Sequence, residues 1–192
     1  MRRRTLLSLS GSILVGLAGC LDASADRTRD GTDAEWVVLR QTGGREGEAV
    51  VEGGLRYAGP TSDGAATLFV TPGDAARFDE AYASEFDGAA AATDLVRDTD
   101  YASASVLVVQ RRHSNTGVET SLAALDTGAT PPTARVRLDA GQGGGAAFVL
   151  DHLFVRVPHE GTPPERVAVT VETYGPGGER VEAVDLTAEP ER

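Results

Sequence analysis

Val167, Val169 and Val171 alternate with Ala168, Thr170 and Glu172. Side chains two residues apart share one face of an extended strand, so this run has an apolar face and a polar one. Val136 and Leu138 alternate in the same way with Arg135, Arg137 and Asp139. Such a strand covers a core on one side and meets water on the other. Runs of this type recur between Gly, Pro and Asp clusters. They predict strands near 35–41, 48–58, 66–71, 104–112, 118–125, 133–139, 146–157, 166–174 and 180–187. Gly175-Pro176-Gly177-Gly178 predicts a hairpin loop, and Gly141 to Gly145 predicts another. The expected fold class is all-β: an antiparallel β-sandwich or partly open barrel with one short helical insert.

The insert follows the strand near 66–71. Thr71 suits an N-cap, Pro72 the first helical position, and Asp74 the reciprocal acid three residues after the cap. Phe78, Tyr82 and Phe86 then recur every fourth residue along one face. Packing against the sheet is the expected role of that stripe. The Ala- and Asp-rich stretch 87–100 predicts a second short turn of helix.

The N-terminal segment reads as an address. Arg2, Arg3 and Arg4 precede an apolar run from Leu6 to Ala18 that Ser8, Ser10, Gly11, Ser12 and Gly16 dilute. A spanning helix needs about 20 mostly apolar residues, so residues 1–19 fit a signal peptide better. Arg3-Arg4 before Thr5-Leu6-Leu7 resembles the twin-arginine export signal, a route taken by folded proteins. Leu17-Ala18-Gly19-Cys20 resembles a lipobox, which implies a lipid on Cys20 and an anchor in the membrane's outer face. Residues 20–34 then read as a polar, flexible tether, and 35–188 as a single β-rich domain.

Cys20 is the lone cysteine. Spent on lipid, it leaves no disulfide, no iron–sulfur cluster, no c-type haem and no thiolate nucleophile. A blue copper centre is excluded too, because the only methionine is Met1. The net charge is −11, with 29 acids, 18 arginines and no lysine. An acidic surface of this kind repels nucleic acid, which requires basic patches. The absence of lysine rules out a Walker-type phosphate loop. At about 1 M salt the Debye length is about 3 Å and the self-repulsion is screened. The composition resembles that of proteins from halophilic archaea.

No catalytic residue set and no cofactor is expected. There is no G-x-S-x-G, and Ser114 beside His113 would point to the opposite face of a strand. Gly141 to Ala146 matches G-x-G-x-x-A, but β-prone residues follow where a dinucleotide site needs a helix. His113, His152 and His159 match no dense ligand motif and read as surface histidines. A set of Asp151, His152 and His159 is the metal alternative, and Glu85, Asp87, Asp94, Asp98 and Asp100 would be a calcium alternative without EF-hand spacing. No metal is the expectation.

Asp98-Thr99-Asp100-Tyr101 leads into Val106-Leu107-Val108-Val109-Gln110, and Leu153-Phe154-Val155-Arg156-Val157-Pro158 precedes the last hairpin. In these features residues 95–175 resemble a domain of haloarchaeal lipoproteins. The layout is more distantly similar to PrcB-type C-terminal domains and chagasin-like protease inhibitors, where a T-G-G-Y or T-G-Y loop follows a long strand. His113-Ser114-Asn115-Thr116-Gly117-Val118 occupies that place here. Thr116 and Gly117 match, and the aromatic is missing. The resulting expectation is a lipid-anchored, non-enzymatic surface module that binds a partner or supports the envelope. The alternatives are a protease-inhibitor-like or peptide-binding module using the 113–118 loop, and an unrecognised hydrolase.

Overall fold

The computed structural model describes residues 34–45, 47–57, 63–114, 116–141, 145 and 148–191. Arg3, Arg4, Cys20 and the tether up to residue 33 lie outside the described residues, as does Asn115. The domain is a sandwich of two four-stranded sheets with a layer of short helices on one side. The first sheet is ordered β1 (Trp36–Gln41), β6 (Val149–Pro158), β3 (Ala104–His113), β2 (Gly64–Phe69). The second is ordered β4 (Val118–Asp126), β5 (Thr133–Ala140), β7 (Val167–Tyr174), β8 (Arg180–Ala188). No barrel closes, and one neighbouring pair departs from the antiparallel expectation: β5 and β7 run parallel. The chain leaves β5 for the first sheet, traverses it as β6, and returns to lie beside β5.

Two apolar layers result. Leu107, Val109, Leu153, Val155 and Val157 meet Leu122, Val136, Leu138, Val169 and Val171 between the sheets. On the outer face of the first sheet, Leu39, Phe69, Val106, Val108 and Phe154 pack under Phe78, Tyr82, Leu95 and Val96. The first sheet is therefore buried on both faces, and its strands β3 and β6 are buried along almost their whole length. The second sheet keeps one wet face, and β5 and β7 show the alternation described above.

The helical insert holds three short helices, α1 (Pro72–Ala75), α2 (Glu80–Ala83) and α3 (Ala89–Arg97). Thr71 caps α1 in a complete capping box with Asp74. The aromatic stripe does not ride on one continuous helix. Asp79 caps α2 from just beyond Phe78, and Phe86 lies past the end of α2. The stripe still packs as expected, with Phe78 edge-on to Phe154 and Tyr82 edge-on to Phe86.

Two loop assignments change. The predicted strand near 48–58 is a covering loop. Gly47 and Gly53 take φ of 84° and 76°, which end an extended run, and only a single bridge joins Val51 to Phe78. Val50 and Val51 are fully buried against the helical layer, which accounts for their apolar character. Gly141 to Gly145 is not a hairpin loop, since the strands it joins belong to different sheets. The same is true of 113–118, between β3 and β4.

Candidate functional site

The two crossovers at this end of the sandwich are laced together. Gly141 N–H donates to the Gly117 carbonyl at 2.9 Å, and Gly145 N–H donates to Thr116 Oγ1 at 2.9 Å. Ser114 is exposed beside them. His113 ends β3 facing inward, between the sheets.

Asp151 organises the interior beneath this loop. It is 1% exposed, near the start of β6. Arg40 donates to both its oxygens at 2.9 Å, Thr120 Oγ1 donates at 2.6 Å, and His113 Nε2 donates at 3.1 Å. Burial alone would push its carboxyl pKa up, but the hydrogen bonds from His113, Arg40 and Thr120 outweigh that and hold it at about 2. Arg40 also donates to the carbonyls of Val118 (2.5 Å) and Thr116 (3.5 Å). One guanidinium thus ties β1, β6 and the 113–118 loop together. A His–Asp pair invites comparison with a catalytic dyad, but the Thr120 hydroxyl hydrogen is directed at Asp151 and not at the imidazole. The arrangement is a clamp.

A second polar cluster lies on the other face of the same strands. Gln110 Nε2 donates to His152 Nδ1 at 2.9 Å, and His152 Nε2 donates to Gln41 Oε1 at 3.3 Å. Gln41 Nε2 donates to Tyr82 Oη at 3.1 Å, and the Leu55 N–H donates to Gln110 Oε1 at 2.9 Å. Burial lowers the His152 pKa to about 4, so the ring is neutral near pH 7. The surface reading is therefore corrected for His152 and His113. His152 is fully buried because its position in β6 faces the helical layer, and the His113 side chain is only 11% exposed. Among the described residues no three His, Cys, Asp or Glu side chains come together as metal ligands.

Beside the clamp the sandwich is open. On the opposite side, β2 and β8 are joined where Leu68 N–H donates to the Glu189 carbonyl. Between edge strands β1 and β4 there is instead a groove of about 510 Å³. Trp36, Val38 and Val118 line it, with Ala91 and Leu95 of α3 forming a wall and Thr116 and Gly117 at one end.

Backbone direction makes this groove more than a dent. Arg156 N–H donates to the Glu35 carbonyl, which fixes Val37, Leu39 and Gln41 as the residues bonded to β6. The backbone groups of Trp36, Val38 and Arg40 point the other way, into the opening. Arg40 N–H is used by the Asp87 carbonyl, and the Val38 carbonyl lies against Gly88. Likewise the Gly117–Gly141 bond fixes Glu119 and Ser121 as the residues bonded to β5. Val118 and Thr120 turn their backbone groups outward, and the Val118 carbonyl is held by Arg40. Among the described residues, the outward N–H and C=O of Thr120 have no backbone partner.

A larger cavity of about 890 Å³ lies between the helical insert and the 47–56 loop. Among its lining charges Arg77 pairs with Glu191 and Arg97 with Glu80, while Nε and Nη1 of Arg77 are buried without a hydrogen-bond partner. The β1/β4 groove, which combines a strand edge with Thr116, Gly117 and Val118 of the predicted loop, is the candidate site.

Of the predicted loop, Thr116, Gly117 and Val118 reach this groove, whereas His113 serves the clamp. Arg40 and Thr120 were not singled out by sequence, and Asp87 and Asp151 were named only within the calcium and metal alternatives. The available signal was a charged pair of positions, Arg40 and Asp151, inside otherwise apolar strands, because a buried charge requires a partner. Comparison with protein-family models, with curated proteins and with solved structures found no match. Among the described residues no helix is long and apolar enough to cross a membrane.

Proposed function

We propose that this protein is a lipid-anchored module at the outer face of a cell membrane that binds an extended polypeptide segment of a partner, without catalysis. The address rests on Arg3-Arg4 and Leu17-Ala18-Gly19-Cys20. The binding mode rests on one observation: the groove between β1 and β4, with outward backbone groups at Thr120 and the Thr116-Gly117-Val118 end of the loop along it. An exposed strand edge accepts another chain through main-chain hydrogen bonds, and the pockets beside it select side chains.

Mass spectrometry of membrane-extracted protein tests the address. A cleaved chain starting at Cys20 with a lipid adduct is expected, and an unmodified Cys20 would refute the anchor. Selection of a displayed peptide library against the full-length protein tests the binding mode. Binders that slow amide exchange at Thr120 and are lost in Ala91→Trp, which fills the groove wall, are the expected result. Binders indifferent to Ala91→Trp would place recognition elsewhere.

A further inference from the structure

The groove carries a charge pattern as well as the open backbone groups of Thr120. Asp87 approaches it from the segment before α3, and Glu119 from β4. Both are exposed, and among the described residues neither carboxylate makes a side-chain hydrogen bond or ion pair. Glu35, at the far end, is already paired with Arg156. The Asp87 and Glu119 carboxylates both act electrostatically on Arg40. Its guanidinium is nevertheless committed to Asp151 in a two-point pair, so the two charges cancel locally. What remains over the groove is two uncompensated negative charges beside an apolar floor of Trp36 and Val38.

We infer that the partner segment lies along the β4 edge and places an arginine or lysine between Asp87 and Glu119, with small or β-branched apolar residues at alternate positions against Trp36 and Val38. This rests on the strand-addition reading above. The geometry requires the alternation, because successive side chains of an added strand point to opposite faces. The cation is favoured by charge complementarity at a partly desolvated site, where a charge-assisted hydrogen bond is worth more than a neutral one. It also gives the site a means to discriminate. A segment with an acid at that position meets two like charges, and repulsion of the wrong partner is a large part of specificity.

The whole surface is acidic, so a basic peptide would adhere anywhere at low salt. The experiment is therefore run at about 1 M salt, where the Debye length is about 3 Å and only close contacts survive. The probes are labelled Thr/Val-alternating peptides that differ only in a central Arg, Gln or Glu, titrated by fluorescence anisotropy against the full-length protein. The Arg peptide is expected to bind about tenfold more tightly than the Gln peptide, the scale of one charge-assisted hydrogen bond. The double variant Asp87→Asn, Glu119→Gln is expected to erase that preference. These are exposed near-isosteric changes, and circular dichroism checks that the variant folds.

Equal binding of all three peptides, blocked by Ala91→Trp, would overturn the inference about the cation and leave strand addition standing. Binding that neither Ala91→Trp nor the double variant alters would overturn both. A doubled mass by light scattering, returned to monomer by Ala91→Trp, would put a second copy of this chain in the groove and overturn the basic partner.

Discussion

Arg40→Met removes the guanidinium that Asp151 depends on while keeping most of the aliphatic packing. Asp151 is 1% exposed and would keep only Thr120 and His113 as donors. Breaking one side of a buried ion pair costs about 3–5 kcal/mol, because the remaining charge is desolvated without its partner. Arg40 is 28% exposed, so the low end of that range applies, about 3 kcal/mol. For a chain of this size 1 kcal/mol corresponds to about 2–4 °C, so Tm should fall by about 6–12 °C. The deficit should also depend on pH. The folded-state pKa of Asp151 is lowered from 3.8 to about 2, so its ionised form stabilises the fold above 3.8 and that contribution is lost as pH falls through 2. The variant has already lost much of it. Denaturant unfolding at pH 7 should separate the two proteins fully, and the gap should narrow as pH drops below 4. A deficit under about 1 kcal/mol at pH 7, or one that stays constant down to pH 2.5, would refute the clamp as the source of the stability.

His152 predicts a second pH effect of separate origin. Its pKa falls from 6.5 to about 4 on folding, so between those values the unfolded chain binds a proton that the native one excludes. Stability should therefore fall by up to about 3 kcal/mol as pH goes from 7 to 4, and His152→Gln should flatten that slope in urea titrations. Gly88 has φ of 84°, and a Cβ there would lie 2.1 Å from the Val38 carbonyl oxygen. Gly88→Ala should cost about 2–3 kcal/mol by thermal unfolding and weaken peptide binding, since it pushes α3 away from β1 at the groove wall.

Much of the fold is written in local patterns. The alternation of Val167, Val169 and Val171 against polar neighbours survives intact because β7 has one wet face. The Thr71–Asp74 capping box needs only four residues, and it forms as expected. Failures occur where the deciding contact is distant. Ala49-Val50-Val51 looks like strand, yet its burial comes from Phe78 and the helical layer, and the turning glycines on either side stop a ladder. Nothing around Gly141 to Gly145 tells a hairpin from a crossover. That depends on whether β6 pairs with β5 or with β1 and β3, and the sequence carries no local mark of the choice.

The groove was harder still to read, for a related reason. A strand edge is defined by which neighbour is missing. β1 pairs with β6 across more than a hundred residues, and β4 is an edge only because β5 takes β7 as its other partner. Thr116-Gly117-Val118 could be picked out as a loop, but its value comes from standing beside Val38 of a remote strand. Asp151 and Arg40 carry chemistry that crosses that gap. An acid between Leu150 and Leu153, in a strand buried on both faces, must find cations or donors on the facing elements, and Arg40, His113 and Thr120 supply them. By drawing the Arg40 side chain inward, Asp151 seals the sandwich at that point with a side chain where the opposite side is closed by backbone. The Val118 carbonyl is consumed in the process and the Thr120 backbone is left open. The residue that stabilises this end of the domain thereby also limits where an added strand can begin.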